Sequence, residues 1–344
     1  MKAAAFQSCG GPDEVRLTDV ATPEAGPGEV LVDVRACGMN HFDLLVLKGP
    51  AAPAAGLPFW GGADVAGVVA ATGPGVRGVR VGERVLVNPA LWCGACEHCL
   101  AGQESLCNQF GILGDDRPGG FAESVAVPSS NVLPIPDEIS FEAAAAVPLV
   151  FQTAWRALIS QGQARPGEDV LIIGAGGGVA TAAIQIARLA GARVIGITSS
   201  AEKVEKALRL GADLCLNRRD SDPWRAVREI TDGRGVDLVL DSVGQGTWGH
   251  ALSSLVKGGR LVTIGRTSGR FADTDVRLVF WHQLRILGST MANRREFAEV
   301  MRLVFTGRLQ PVIDTVLPLG EAAEGYRRLE AAAQFGKIVL RPGS

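Results

Sequence analysis

The chain has 344 residues, 47% of them hydrophobic and 20% charged, with a formal net charge of -2 at pH 7. That length accommodates two ordinary domains with real cores, and a near-neutral balance without Lys/Arg runs leaves no electrostatic footprint for nucleic acid or an anionic membrane. Both partners are disfavoured, and the start "MKAAAFQSCGGPDEV" has too short an apolar run for a signal-peptide core, which makes the cytoplasm the expected compartment.

Residues 1–150 are divided by Gly and Pro into short apolar runs such as "EVLVDVRACG", "ADVAGVVAATGPGV", "ERVLVNP" and "FAESVAVPSSNVLPIP". Such spacing predicts many short strands with tight turns, a β-rich and barrel-like domain. Within it, "WCGACEHCLAGQESLCN" sets Cys93, Cys96, Cys99 and Cys107 at C-x2-C-x2-C-x7-C spacing. Four thiolates so spaced suit one tetrahedral zinc at zinc–sulfur distances of about 2.3 Å. A closed four-sulfur site keeps no position for water or substrate, so the metal is expected to hold the lobe, residues 88–112, in shape and to stay out of the reaction. The alternatives are two disulfides, which need an oxidising compartment, or a mixed site in which His98 replaces one thiol.

From Asp169 the pattern changes to strands alternating with helical stretches: "DVLIIG" then "GVATAAIQIARLAG", "RVIGITS" then "AEKVEKALRLGA", "VDLVLDSVG" then "GTWGHALSSLVKGG", and "RLVTIG". Repeated β-then-α units predict a parallel, doubly wound α/β sheet over residues 151–289. The uncharged run Val170 to Ala187 is long enough to suggest a bilayer span, but its glycines divide it into strand, turn and buried helix. Residues 290–344, with the helical "RREFAEVMRLVFTG" and the closing strand "GKIVLRP", are expected to return to the first domain, leaving a cleft between the two.

The turn in "VLIIGAGGGVATAAIQIA" follows a strand and opens a helix, the context in which glycines cradle a dinucleotide pyrophosphate. The register Ala175-x-Gly177-x-x-Ala180 puts Gly177 at the close backbone approach and small Ala180 against the strand, with Gly176, Gly178 and Val179 completing the turn. An NAD site would carry an Asp or Glu about 20 residues on, to bind the adenosine ribose. Here the second strand ends in Thr198, Ser199 and Ser200, Lys203 follows, and Arg218 sits beyond the third strand in "LNRRD". Those groups suit a 2′-phosphate, so NADPH is expected ahead of NADH.

The Cys lobe, "GARVIG", "LVLDSVG", "GGRLV" and "GKIVLRP" fall in one order along the chain, and in this the sequence resembles the medium-chain dehydrogenase/reductase superfamily over essentially its whole length. The resemblance implies a GroES-like catalytic domain plus a Rossmann domain, one structural zinc in the lobe, and a homodimer formed by edge pairing near "RLVTIG" and "LRILGST", with a tetramer as the alternative. It places a cofactor contact at His41, and Thr153 is a further expected contact; Asp241, Val243 and Gly265 end parallel strands, where the nicotinamide half is expected to lie. Zinc alcohol dehydrogenases of the superfamily bind a second, catalytic zinc through a Cys in a G-x-C-x-x-D turn, a His in G-H-E and a further Cys. The matching positions here are Asn40 in "GMNHFD", Ala63 in "GAD" and Leu149, and the proton-carrying hydroxyl is replaced by Phe42. Three ligands missing together cannot hold a zinc that polarises an alkoxide.

These departures point to the quinone oxidoreductase and 2-alkenal reductase branch: hydride passes to a quinone or to the C=C of an α,β-unsaturated carbonyl, whose developing oxyanion needs only hydrogen-bond donors and a proton. Asn40 is the expected donor, with Asp43 and Asp64 as supporting carboxylates; Tyr326, the only tyrosine, reads as packing, which leaves solvent or a cofactor ribose hydroxyl as proton source. Two other readings stand beside this one. One is an alcohol dehydrogenase with an unusual cleft metal held by Cys37, His41 and Asp64. The other is a non-catalytic NADPH-binding sensor or nucleic-acid-binding protein.

Overall fold

In the computed structural model, which describes residues 1–49 and 53–343, the strand Glu29–Gly38 alternates buried with more exposed residues and then buries Ala36, Cys37 and Gly38 in succession. The alternating part packs one face on a core, and the buried run marks where other elements cover both faces. Its sheet runs in the order Ile313–Pro318, Lys337–Arg341, Glu29–Gly38, Asp64–Thr72, Arg84–Val87, Val132–Pro134, with Ser124–Pro128 also paired to Glu29–Gly38. Alternate Val32, Val34, Val65, Val69, Val85 and Val87 form the core with Phe6, Phe59, Phe121, Tyr326 and Ile338. The chain divides into two units, one made of residues 1–150 and 293–344 and the other of Phe151–Ala292.

In the first unit, register brings distant sequence together. Gly38 pairs with Asp64 on one side and with Val339 on the other, and the Met39 N–H donates to Ile338 O at 2.8 Å, so the antiparallel count continues to Asn40 beside Lys337. Only glycine fits at position 38, because a Cβ there would stand 2.2 Å from Ala145 O and 3.1 Å from Lys337 Cε.

The second unit is a six-stranded, wholly parallel sheet in the order Leu214–Asn217, Arg193–Thr198, Asp169–Ile173, Val236–Asp241, Leu255–Thr263, Arg285–Gly288. Numbered along the chain this is 3-2-1-4-5-6, the order of a dinucleotide-binding doubly wound sheet. The GroES-like and Rossmann architectures anticipated above are both present. Two details differ from the sequence reading. The stretch "GTWGHALSSLVKGG" is helical only over Trp248–Ser253; Leu255 already pairs with Val236, and a register shift between Val236 and Leu238 absorbs the extra residues of the long strand. The second unit also extends past position 289 to Ala292, where Met291 is buried against the Thr153 hydroxyl at 3.7 Å from its sulfur.

Gly67, at the crossing of Asp64–Thr72 with Glu29–Gly38, has no room for a side chain: its Cβ would lie 2.1 Å from Asp33 O. Gly67→Ala is expected to cost about 1–3 kcal/mol through overpacking against backbone that cannot move aside, read as a lowered urea midpoint.

Candidate functional site

Asn40 ends the turn after the central strand and precedes the helix His41–Leu47, with 5% of its surface exposed. Its side chain turns away from that helix. Lys337 Nζ donates to Asn40 Oδ1 at 2.6 Å and to Asp64 Oδ2 at 2.8 Å, and Asn40 Nδ2 donates to the same Asp64 oxygen at 3.0 Å. The other carboxylate oxygen of Asp64 accepts the Leu149 N–H at 2.7 Å. Lysine, carboxamide and carboxylate thus form a closed triangle in which Asp64 is fully buried and the lysine side chain is 3% exposed. A charge pair this deep persists only because each partner meets the other and the remaining lone pairs are satisfied.

Asp43 lies in the next layer. Its Oδ2 accepts the Asn40 N–H at 2.7 Å and its Oδ1 the Gly62 N–H at 3.1 Å, so it joins the turn "GMNHFD" to the "GGAD" segment. Burial pushes its carboxyl up to about 7 against the pull of those two N–H groups. Burial likewise raises the Cys37 thiol and the Tyr326 phenol well above their usual ranges, with the Asp43 charge adding to both. His41, at the start of the helix, is partly exposed, and burial followed by the Lys48 charge lowers its pKa.

In the second unit, the strand Asp169–Ile173 ends in the turn Gly174 to Gly177, and Gly178, Val179 and Ala180 open the helix Gly178–Leu189. Gly174 takes a φ of +78°, a conformation that favours glycine, and Gly177 caps the helix with no side chain over its N-terminus, where backbone N–H groups suit a pyrophosphate. Ala175 is buried, and a Cβ on neighbouring Gly196 would already press on it at 3.0 Å. The residues present therefore fit a dinucleotide. Ser200 caps the helix Ala201–Leu210 by accepting the Lys203 N–H at 3.3 Å; Thr198, which is buried, and Ser199 end the second strand, and exposed Arg218 follows the third. The Arg218 N–H donates to Thr198 O at 3.0 Å, fixing that grouping. Asp241 is spent on its own turn: it accepts the Val243 N–H at 2.7 Å and the Thr247 hydroxyl at 3.0 Å, and burial raises its pKa. Gly265 packs so closely that its Cβ would be 2.7 Å from Ser242 O.

The lobe is closed at its base by the pairing of Ala90–Leu91 with Gly111–Ile112. All four sulfurs lie within 4.8 Å of one another, close to the spacing of about 3.8 Å that tetrahedral geometry imposes. Backbone N–H groups of Cys96, Cys93 and Gln109 point at the sulfurs of Cys93, Cys107 and Cys107, each at 3.3 Å, and such donors favour thiolate. The Cys99 and Asn108 N–H groups pull the Cys96 thiol down to about 6. This donor set fits one zinc. The lobe docks on the helix Arg294–Phe305, where the Arg294 N–H donates to Glu104 at 3.2 Å and the Arg294 guanidinium covers Trp92.

Lys337 is the site residue that the sequence reading missed. Asp64, a lone carboxylate in the apolar run "GGADVAGVVA", was the available signal, because a buried acid demands a cationic partner.

A four-sulfur lobe on a β-rich unit and a glycine turn on a 3-2-1-4-5-6 sheet define a dehydrogenase of the two-unit type. Residues 26–137 match the alcohol dehydrogenase GroES-like domain and residues 178–306 the zinc-binding dehydrogenase family. The chain is 34% identical to an NAD-dependent alcohol dehydrogenase of Sulfolobus acidocaldarius, over 99% of each chain. It is 30% identical to an acryloyl-coenzyme A reductase of Sulfurisphaera tokodaii, over 95% of this chain and 96% of that one. The crystal structure of an NAD-dependent alcohol dehydrogenase superposes with a TM-score of 0.95 at 45% identity, over the whole of both chains. The chain belongs to the medium-chain dehydrogenase/reductase superfamily, among its zinc-type alcohol dehydrogenase-like members, and is an oxidoreductase. Among the described residues no helix is long and apolar enough to cross a membrane.

Two outcomes follow from this geometry. Elemental analysis should find one zinc per chain, and Cys107→Ser should lose it and open the lobe to limited proteolysis between its cysteines. For Asp43, the folded carboxyl keeps its proton up to about pH 7, whereas an unfolded one releases it near 3.8. The folded state binds the extra proton in between, so this group's stabilisation is complete below that window and is lost as pH rises through it, by up to about 1.4 kcal/mol per pH unit. Urea midpoints of wild type and Asp43→Asn between pH 5 and 8 should show the wild type losing ground to the variant as pH rises.

Proposed function

We propose that the protein carries hydride from NADPH to the C=C of an α,β-unsaturated carbonyl compound, or to a quinone, with protein dipoles and no metal at the acceptor oxygen. The observation that carries this reading is Asn40: where zinc alcohol dehydrogenases place a thiolate there is a carboxamide, held on both sides by Lys337 and Asp64. Among the described residues, the lobe cysteines are the only group of three or more His, Cys, Asp or Glu side chains that converge, and Cys37, His41 and Asp64 form no such set. The acryloyl-coenzyme A reductase relative acts, by its name, on a C=C conjugated to a carbonyl, which also supports the reading.

When bound, the reduced nicotinamide supplies the hydride. A hydride added at the β-carbon would move the C=C electron pair toward the carbonyl oxygen, where an Asn40 N–H would stabilise the gathering charge. Tyr326 is 1% exposed, so the proton that completes the product at the α-carbon comes from solvent or from a cofactor ribose hydroxyl. A second reading, an NADH-linked alcohol dehydrogenase, is favoured by the names of the alcohol dehydrogenase relatives.

One panel separates them. Enones, quinones and enoyl thioesters with NADPH or NADH, and alcohols with NADP⁺ or NAD⁺, should give turnover only in the reductive set, at one zinc per chain. Alcohol oxidation at two zincs per chain would establish the second reading, and tight NADPH binding without turnover on any member would favour a sensor. NADPH should exceed NADH about tenfold or more in kcat/KM, and Arg218→Ala should remove most of that preference, as expected for the loss of a charged phosphate contact.

We place the homodimer at the strand Arg285–Gly288, which ends its sheet with an open edge and a partly exposed Ile286, next to the helix Val276–His282, where Phe280 and Trp281 are each 63% exposed. Light scattering should give twice 35.9 kDa, falling to the monomer mass for Ile286→Lys.

A further inference from the structure

We propose that Lys337 is a positioning residue that acts through Asn40: together with Asp64 it locks the carboxamide in one sense and so keeps Asn40 a donor, not an acceptor, toward the substrate. This rests on the reading of Asn40 given under Proposed function. An ammonium only donates, so the Asn40 atom at 2.6 Å from Lys337 Nζ must be oxygen. An ionised carboxylate only accepts, so the Asn40 atom at 3.0 Å from Asp64 Oδ2 must be nitrogen. The pair therefore admits one orientation of an amide whose two ends are otherwise nearly alike.

The Asn40 nitrogen has two hydrogens. One is taken by Asp64, and the other has only Gly38 O, at 3.5 Å, the outer limit of a hydrogen bond. That second N–H is the group left to meet an acceptor oxygen. Were the amide reversed, a carbonyl oxygen would stand there and repel a developing enolate. A purely structural lysine would stabilise the fold without deciding this polarity.

Two experiments with the full-length protein test the proposal, using Lys337→Gln, Lys337→Arg, Asn40→Ala and the double variant Asn40→Ala/Lys337→Gln. The first needs no turnover. In ¹⁵N–¹H spectra, the Asn40 side-chain amide, assigned by its loss in Asn40→Ala, should give one sharp pair of signals in wild type and Lys337→Arg, as a single locked orientation requires, where a mixture of orientations would broaden or double them. In Lys337→Gln it should move or broaden, because glutamine can donate or accept. The second uses the acceptor that wild type reduces best. Lys337→Gln and Asn40→Ala should each lower kcat about 100-fold, with the KM for NADPH unchanged and Lys337→Arg recovering most of the loss. The double variant should be no slower than Asn40→Ala alone. Where Lys337→Gln does not fold, Asp64→Asn/Lys337→Gln replaces it, because that pair leaves no buried charge unpartnered; it is compared with Asp64→Asn alone, which keeps the ammonium on the Asn40 oxygen and so isolates the part played by Lys337. An unchanged amide spectrum together with additive losses in kcat would overturn the proposal, as would full activity in a folded, destabilised Lys337→Gln. Failure of every acceptor in the panel would instead refute the proposed reaction, and the spectra would still decide what orients Asn40.

Discussion

Lys337 and Asp64 share one small volume inside the first unit, and the pairing of its central strands must place them where they meet. They are 273 positions apart in sequence and 2.8 Å apart in space. Removing one partner of such a pair costs about 3–5 kcal/mol, since the other is left charged and out of water. The contact joins the strands Glu29–Gly38, Asp64–Thr72 and Lys337–Arg341, and the missing side chain at Gly38 provides the room. The C-terminal strand is therefore both a ladder partner and the carrier of the cation that the first 150 residues lack at this point.

The lobe solves a different problem. A loop with exposed Cys93 and little apolar surface cannot hold its shape by burial, and four converging sulfurs give it a covalent-like centre instead. Glu104 and Trp92 then pass that rigidity to the start of the helix Arg294–Phe305. The two donor sets differ in kind: sulfur in the lobe, and amide, ammonium and carboxylate around Asn40.

Much of this was legible in the sequence where the signal is local. The cysteine spacing, the glycine turn and the alternation of strand and helix each follow from residues close together, and each names its own geometry. The helix "GTWGHALSSLVKGG" was read too long because Leu255 and Val256 belong to a strand whose partner, Val236, lies outside any local window. Asn40 and Asp64 were found by their place in motifs, yet what they do was hidden, since it depends on Lys337 at the far end of the chain. A lysine before "IVLRP" looks like a solvated strand end until the register of three strands is known. Asp241 shows the reverse: its place at a strand end suggested a cofactor contact, while its hydrogen bonds build the turn that follows.

The charge count around Asn40 bears on which reaction the site can favour. Lys337 and Asp64 cancel, so the net charge of the cluster depends on Asp43, which feels both of them along with its own burial. An ionised Asp43 would set a fixed negative charge behind the donor that has to stabilise an enolate, and in a low-dielectric interior that repulsion would oppose the transition state. With its carboxyl held to about 7, Asp43 is largely neutral in mildly acidic solution, and the Asn40 dipole then acts without a competing anion. Alcohol oxidation makes the opposite demand, since an alkoxide must be stabilised before hydride leaves, and a neutral amide is a weak substitute for a metal there. Conjugate reduction develops its charge only in the transition state, where a donor already fixed in direction costs no reorganisation. The burial that raises Asp43 and the pairing that locks Asn40 therefore both support the proposed conjugate reduction, for separate physical reasons.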